Sequence, residues 1–203
     1  VALGLLFILN LGLWKEMVET LVLVVYATVA SLLIGIPIGI LAARRPAVWK
    51  AIAPILDMMQ TLPTFVYLVP MLALFGLGAV PGLFATVIFA VPAPIRLTYL
   101  GISQVPVALI EAGESFGSTR SQLLFRVKLP AALPTIMAGV TQCIMLSLSM
   151  VVIASMVGAG GLGAPTIRAL ATNNISLGAE AGLAIVIVAI ILDRVMKQRT
   201  VRK

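Results

Sequence analysis

The 203 residues are 61% hydrophobic and 10% charged, with a mean hydropathy of +1.16. A soluble domain of this size carries about a quarter of its residues charged, so a soluble enzyme is excluded: this composition would aggregate in water, and a bilayer requires it. The net charge of +7 does not point to nucleic acid, because the bases stand in short clusters between apolar runs and not on one polar face among aromatics.

The first apolar run, Val1 to Leu13, is shorter than the roughly 20 residues that a span needs. Residues 1–14 read as the end of a truncated first helix, and no basic n-region or cleavage site marks a signal peptide. Apolar runs of spanning length follow at 18–43, 52–75, 83–100, 134–157 and 177–196. The first ends at Arg44-Arg45-Pro46 and carries Gly35 and Gly39, a small-xxx-small pair that permits close helix packing. In the second, Asp57, Gln60 and Thr61 fall at i, i+3 and i+4 and form one polar stripe. A translocation path, a contact inside the bundle and a hydrated interface all suit that stripe. Pro63, just beyond, loosens the helix. Pro92 and Pro94 predict a kink in the third run. Gln142 and Ser149 share one face of the fourth, where hydrogen bonding between helices is the commoner use and a path the rarer. Trp14 and Trp49 stand near span ends as interfacial anchors.

With no histidine and one cysteine, Cys143 inside an apolar run, neither a metal site nor a disulfide framework is expected. The expected fold is all-α, a polytopic bundle of about five full spans plus the N-terminal fragment, in a single domain over 1–203.

The bases alternate with the loops. Arg44, Arg45 and Lys50 follow the first full span, and Arg96, Arg120, Arg126 and Lys128 lie in or beside the segment after the third. Arg194, Lys197, Arg199, Arg202 and Lys203 follow the last. The opposite side holds Lys15, balanced by Glu16 and Glu19, and Arg168. The C-terminus, the 44–50 loop and the 101–133 segment are therefore expected in the cytoplasm.

Residues 101–133 form the one long polar stretch. Pro106 suits a first helical turn, Glu111 and Glu114 lie one turn apart, and Gly117 ends that helix. Ser118 or Thr119 caps a second, in which Leu123, Leu124 and Val127 recur at helical spacing. The reading is two short surface helices joined by a glycine turn, shaped to enter a groove on another protein.

Here the chain resembles the permeases of ATP-binding-cassette importers. Their cytoplasmic motif is Glu-Ala-Ala, three residues, Gly, nine residues, Ile, one residue, Leu-Pro. Glu111, Ala112, Gly117, Leu129 and Pro130 stand at those positions, with Gly113 for the second alanine and Val127 for the isoleucine. The resemblance implies that the 101–133 segment, with Glu114 beside the motif, is a coupling helix that inserts into a cleft of an ATPase subunit. A narrower resemblance, to permeases for glycine betaine and proline betaine, rests on Leu56 to Tyr67, Glu111 to Gly117, Met150 to Ser155, Gly160 to Gly163 and Ile190 to Arg194. It implies a bacterial inner-membrane homodimer with two ATPases and an external binding protein or domain. The implied cargo is a quaternary ammonium osmoprotectant such as glycine betaine, carnitine or choline.

Without a Walker motif, this chain is expected to bind no cofactor, with ATP and Mg held by the partner ATPase. Phe65 and Tyr67 are the aromatics to test in the passage, beside Asp57, Gln60, Thr61, Gln142 and Ser149. Gly158, Gly160, Gly161 and Gly163 match GxGxxG but lack a βαβ setting. They read as a flexible external turn, with a gate and a plain helix-ending loop both open. The rival class is a secondary transporter or channel, for which an internal repeat or a mid-span carboxylate pair is the usual sign and neither is found. A permease for methionine or another small solute would keep the mechanism and change the cargo.

Overall fold

The computed structural model describes the backbone of residues 2–200 and the side chains of residues 3–196. The terminal bases Lys197, Arg199, Arg202 and Lys203, expected on the cytoplasmic side, lie outside the residues whose side chains are described. Helices and turns follow one another, with no strand among the described residues.

A short helix α1 (Ala2–Asn10) turns at Gly12 into α2 (Trp14–Arg44). The buried residues of α2 (Met17, Thr20, Val24, Ala27, Thr28, Ser31, Gly35, Gly39 and Ala42) recur every three or four positions, one stripe facing the bundle. Off that stripe, Val25, Tyr26 and Leu33 are more than half exposed, which suits lipid as solvent. The expected start at residue 18 is four residues late, because Lys15, Glu16 and Glu19 sit in the first turns without ending the helix.

The expected single span at 52–75 is broken. Helices α3 (Pro46–Thr61) and α4 (Thr64–Phe75) meet at 98°. The cause is local: Pro63 biases Leu62 away from the helical region, and both adopt extended angles, Leu62 with φ −70° and ψ 135°. Helices α5 (Ala79–Ala90) and α6 (Pro92–Ser103) form one 25-residue span interrupted at Val91, where Pro92 and Pro94 predict the kink. After α7 (Val107–Ser115) and the short α8 (Arg120–Gln122), a π-helical turn (Leu123–Lys128) leads directly into α9 (Leu129–Ala154). The span expected to begin at 134 thus extends back to Arg120 and runs 38 residues to Val157. A 3₁₀ turn (Ser155–Val157), α10 (Gly163–Ala171) and α11 (Ile175–Thr200) follow, the last elements among the described residues.

Four of these helices are long and apolar enough to cross a membrane, or five counting the bent α3–α4 pair as one span. Helices α2, α5, α6 and α9 pack together at the centre. One core cluster joins α1, α2, α9 and α11 through Ile8, Met17, Val24, Leu148 and Val188. A second sets Tyr67 and Leu68 of α4 against Met150 and Ala154 of α9. The third, Ile102, Leu124, Ala132 and Ile136, fastens the 101–133 segment to the end of the bundle.

Candidate functional site

Helix α7 has no buried residue. Val107 is 66% exposed and Phe116 91%, and Glu111, Ala112 and Glu114 face outward with them. The helix ends in a Schellman motif: Ser118 N–H donates to the Gly113 carbonyl at 3.1 Å and Gly117 N–H to the Glu114 carbonyl at 2.9 Å. Gly117 takes φ +76°, a conformation that penalises any residue with a Cβ. Gly113 lies against the π-helical turn, where a Cβ would stand 2.7 Å from Leu123 Cδ1. Glycine in place of the motif's second alanine therefore lets α7 lie closer to the segment behind it.

Of the two candidate caps, Thr119 is the one used. Its Oγ1 accepts from Gln122 N–H at 3.3 Å, and Gln122 Oε1 accepts from Thr119 N–H at 2.8 Å, a capping box. The second short helix is no separate element, because α8 and the π-helical turn are the first turns of the long α9 span. Pro130 brings no N–H to the ladder, and the wider turn just before it, closed by Leu129 N–H on the Leu124 carbonyl, avoids a helical bond that Pro130 cannot make. Leu129 and Pro130 thus join the exposed α7 to a membrane-spanning helix.

The candidate path residues do not all converge. Gln60 and Gln142, from α3 and α9, line one cavity of about 370 Å³, together with Trp49, Arg96 and Tyr99. Asp57 ion-pairs with Arg96 at its edge. Thr61 donates instead to its own helix at the Met58 carbonyl, and Ser149 to the Met145 carbonyl. Phe65 is half exposed away from the cavity lining. Tyr67 is buried: its hydroxyl donates to the Met59 carbonyl across the α3–α4 break, and its ring meets Phe89 edge-on with centroids 5.7 Å apart. It is a brace at the bend.

Trp49, expected as an interfacial anchor, stacks on Tyr99 with centroids 3.6 Å apart. Arg96, expected with the cytoplasmic bases, belongs to this cavity. The signal that finds it is its position as a lone base inside an apolar run, since such groups face cavities or partners. The Asp57 side chain is 67% exposed, so the pair contributes little to folding. Asp57→Asn should cost at most about 1 kcal/mol. A much larger drop in thermal melting of the purified complex would mean that the pair is buried in the assembly.

The glycine segment at 158–163 is pinned at both ends. Glu19 Oε2 accepts from Gly161 N–H at 3.0 Å and Thr20 Oγ1 from Leu162 N–H at 2.8 Å. Gly78 N–H donates to the Val157 carbonyl at 2.9 Å. Backbones pass closely there, as expected, but the segment is a hydrogen-bonded clasp onto α2 and not a free turn. The residues after it contain α10.

Residues 35–197 match the family described as binding-protein-dependent transport system inner membrane component. The glycine betaine transport system permease OpuAB of Bacillus subtilis is 54% identical over 98% of this chain and 71% of its own length. The glycine betaine/carnitine permease GbuB of Listeria monocytogenes is 54% identical over 94% of this chain and 68% of its own. The glycine betaine/proline betaine permease ProW of Escherichia coli is 55% identical over 91% of this chain, which spans about half (52%) of that protein. Among solved structures, the inward-facing MetNI methionine transporter superposes with a TM-score of 0.84 at 22% identity, covering 94% of this chain and 96% of the matched chain. That last likeness carries the fold alone. Fold, motif spacing and relatedness agree: the chain is an ABC-importer permease subunit and belongs to the binding-protein-dependent transport system inner membrane component family.

Proposed function

We propose that this chain forms the membrane passage for glycine betaine or a related quaternary ammonium osmoprotectant, in an importer driven by separate ATPase subunits. The observation that carries the reading is the 54% identity to a glycine betaine permease across 98% of the chain. The proposed assembly pairs two copies of this subunit with two cytoplasmic ATPases, which hold the ATP and Mg, and with an external binding protein or domain. The C-terminus and the 101–133 segment face the cytoplasm, in keeping with the placement of bases at 44–50 and 120–128.

In this reading α7 is the coupling helix, with Glu111, Ala112, Gly113, Glu114 and Gly117 set into a cleft of the ATPase. Its exposed Val107 and Phe116 supply apolar contact. Closure of the ATPases carries α7 with it. The capped α8 and π-helical turn, continuous with α9, pass that movement to the span lined by Gln142. Asp57, Gln60 and Gln142 border the cytoplasmic part of the passage. Gly158, Gly160, Gly161 and Gly163 form the external clasp that opens when the spans rotate. The cavity, about 370 Å³, has room for a small solute, and selection is left to the binding protein.

The test is uptake of labelled glycine betaine into proteoliposomes holding the assembled complex. Uptake is expected only when internal ATP and the binding protein are both present. ATP-driven uptake of another solute would keep the mechanism and remove the cargo. Uptake by this chain alone, without ATP, would overturn the reading in favour of a secondary carrier.

A further inference from the structure

A cleft of about 450 Å³ lies where the end of α2 meets the segment that follows α7. Arg44, Arg45, Arg120 and Lys128 line it, against one carboxylate, Glu114. Among the described residues none of these bases makes an ion pair. The rest of its wall is apolar and includes Leu41, Ile102 and Leu124. Ile102 and Leu124 are buried members of the cluster that fastens the segment to the bundle.

Charge and depth together restrict the occupant. Four bases gathered against a single carboxylate leave the cleft net positive, and an anion there relieves the repulsion among them. Arg44 ends a 31-residue apolar helix and Arg45 follows it, so both stand where hydrocarbon gives way to headgroups. A basic rim over an apolar wall at that depth matches a phospholipid, whose phosphate meets bases and whose ester region meets Leu and Ile. A nucleotide or a soluble organic anion would use the bases and leave the apolar wall idle. We propose that the cleft binds a phosphate-bearing anion, supplied by the headgroup of an anionic phospholipid of the cytoplasmic leaflet. Bound there, the phosphate ties α2 to Arg120 at the start of α8 and Lys128 at the end of the π-helical turn, on the side of the cleft that Glu114 of α7 also lines.

The test uses the whole complex in nanodiscs of phosphatidylcholine with a minor share of phosphatidylglycerol that carries a photoreactive diazirine near its glycerol ester. After irradiation and digestion, label is expected on peptides containing residues 41–45 and 120–128. A phosphatidylcholine probe with the same diazirine should label them about tenfold less or weaker still, since each base near the membrane surface favours the anionic lipid. Equal labelling by the two probes would overturn the proposal. Inorganic phosphate at tens of millimolar is the arm for the other source: label that persists supports the lipid, and label displaced by phosphate overturns the lipid as the occupant. The variant Arg45→Gln/Lys128→Gln should lower labelling severalfold. Because bases also orient the spans, the result from the unaltered complex decides if that variant fails to assemble.

Discussion

Gly117→Pro is expected to abolish solute uptake and solute-stimulated ATP hydrolysis, by about tenfold or more, while the bundle stays folded. Gly117 holds φ +76°, and a proline ring fixes φ near −65°, so the last turn of α7 cannot form as it stands. Proline also removes the N–H that donates to the Glu114 carbonyl at 2.9 Å, one of the two bonds closing the helix. Neither loss reaches the core, because α7 contributes no buried residue. Gly117→Ala separates backbone from bulk: a Cβ there meets nothing within 4 Å, so alanine costs only the left-handed conformation, about 1–2 kcal/mol. Alanine should leave partial transport and proline essentially none. Uptake, ATP hydrolysis and thermal melting of the same reconstituted complexes check the three claims. Full uptake by the proline variant would remove α7 from the coupling role.

The sequence carries the parts of this design that depend on local chemistry. The spacing from Glu111 to Pro130 predicts an exposed helix, a glycine stop and a capped restart. The helix and the stop are present, the cap is Thr119 where Ser118 was equally open, and the restart is the beginning of the long span and not a second short helix. Apolar run length finds the spans for the same reason: the bilayer acts on each segment separately. What depends on the angle between segments is less legible. Pro63 announces a break but not its 98°, and beyond a break of unknown angle the face that each side chain presents is lost. Tyr67 accordingly turns inward as a brace where a passage aromatic was expected. The pairing of Asp57 with Arg96 joins residues 39 apart in sequence, and only the packing of α3 on α6 brings them together. Helix α10 is nine residues long, too short for its periodicity to stand out between the two spans that flank it.

Gly39→Leu should be the most damaging substitution within the spans, and even Gly39→Ala should lower the melting temperature and uptake together. A Cβ at Gly39 would stand 2.7 Å from the Ile95 carbonyl oxygen and 2.7 Å from Thr98 Cβ. One obstacle is backbone and the other the root of a side chain, so α2 and α6 must separate. Overpacking of this kind costs about 1–3 kcal/mol, at the upper end where neighbours cannot yield. Small residues at such crossings are how helices associate in a medium that gives them no hydrophobic drive. The displacement also reaches the candidate passage, because Arg96 and Tyr99 lie on the same turns of α6 as Ile95 and Thr98 and line its cavity. Gly182→Ala is the matched control: it sits inside α11 with nothing within 4 Å of a Cβ, and alanine there should be neutral or stabilising by up to about 1 kcal/mol. Melting curves and uptake of both variants decide the matter. Unchanged values for Gly39→Ala would mean that α2 and α6 do not approach this closely in the working transporter, and the cavity bounded by α6 would lose its stated geometry with them.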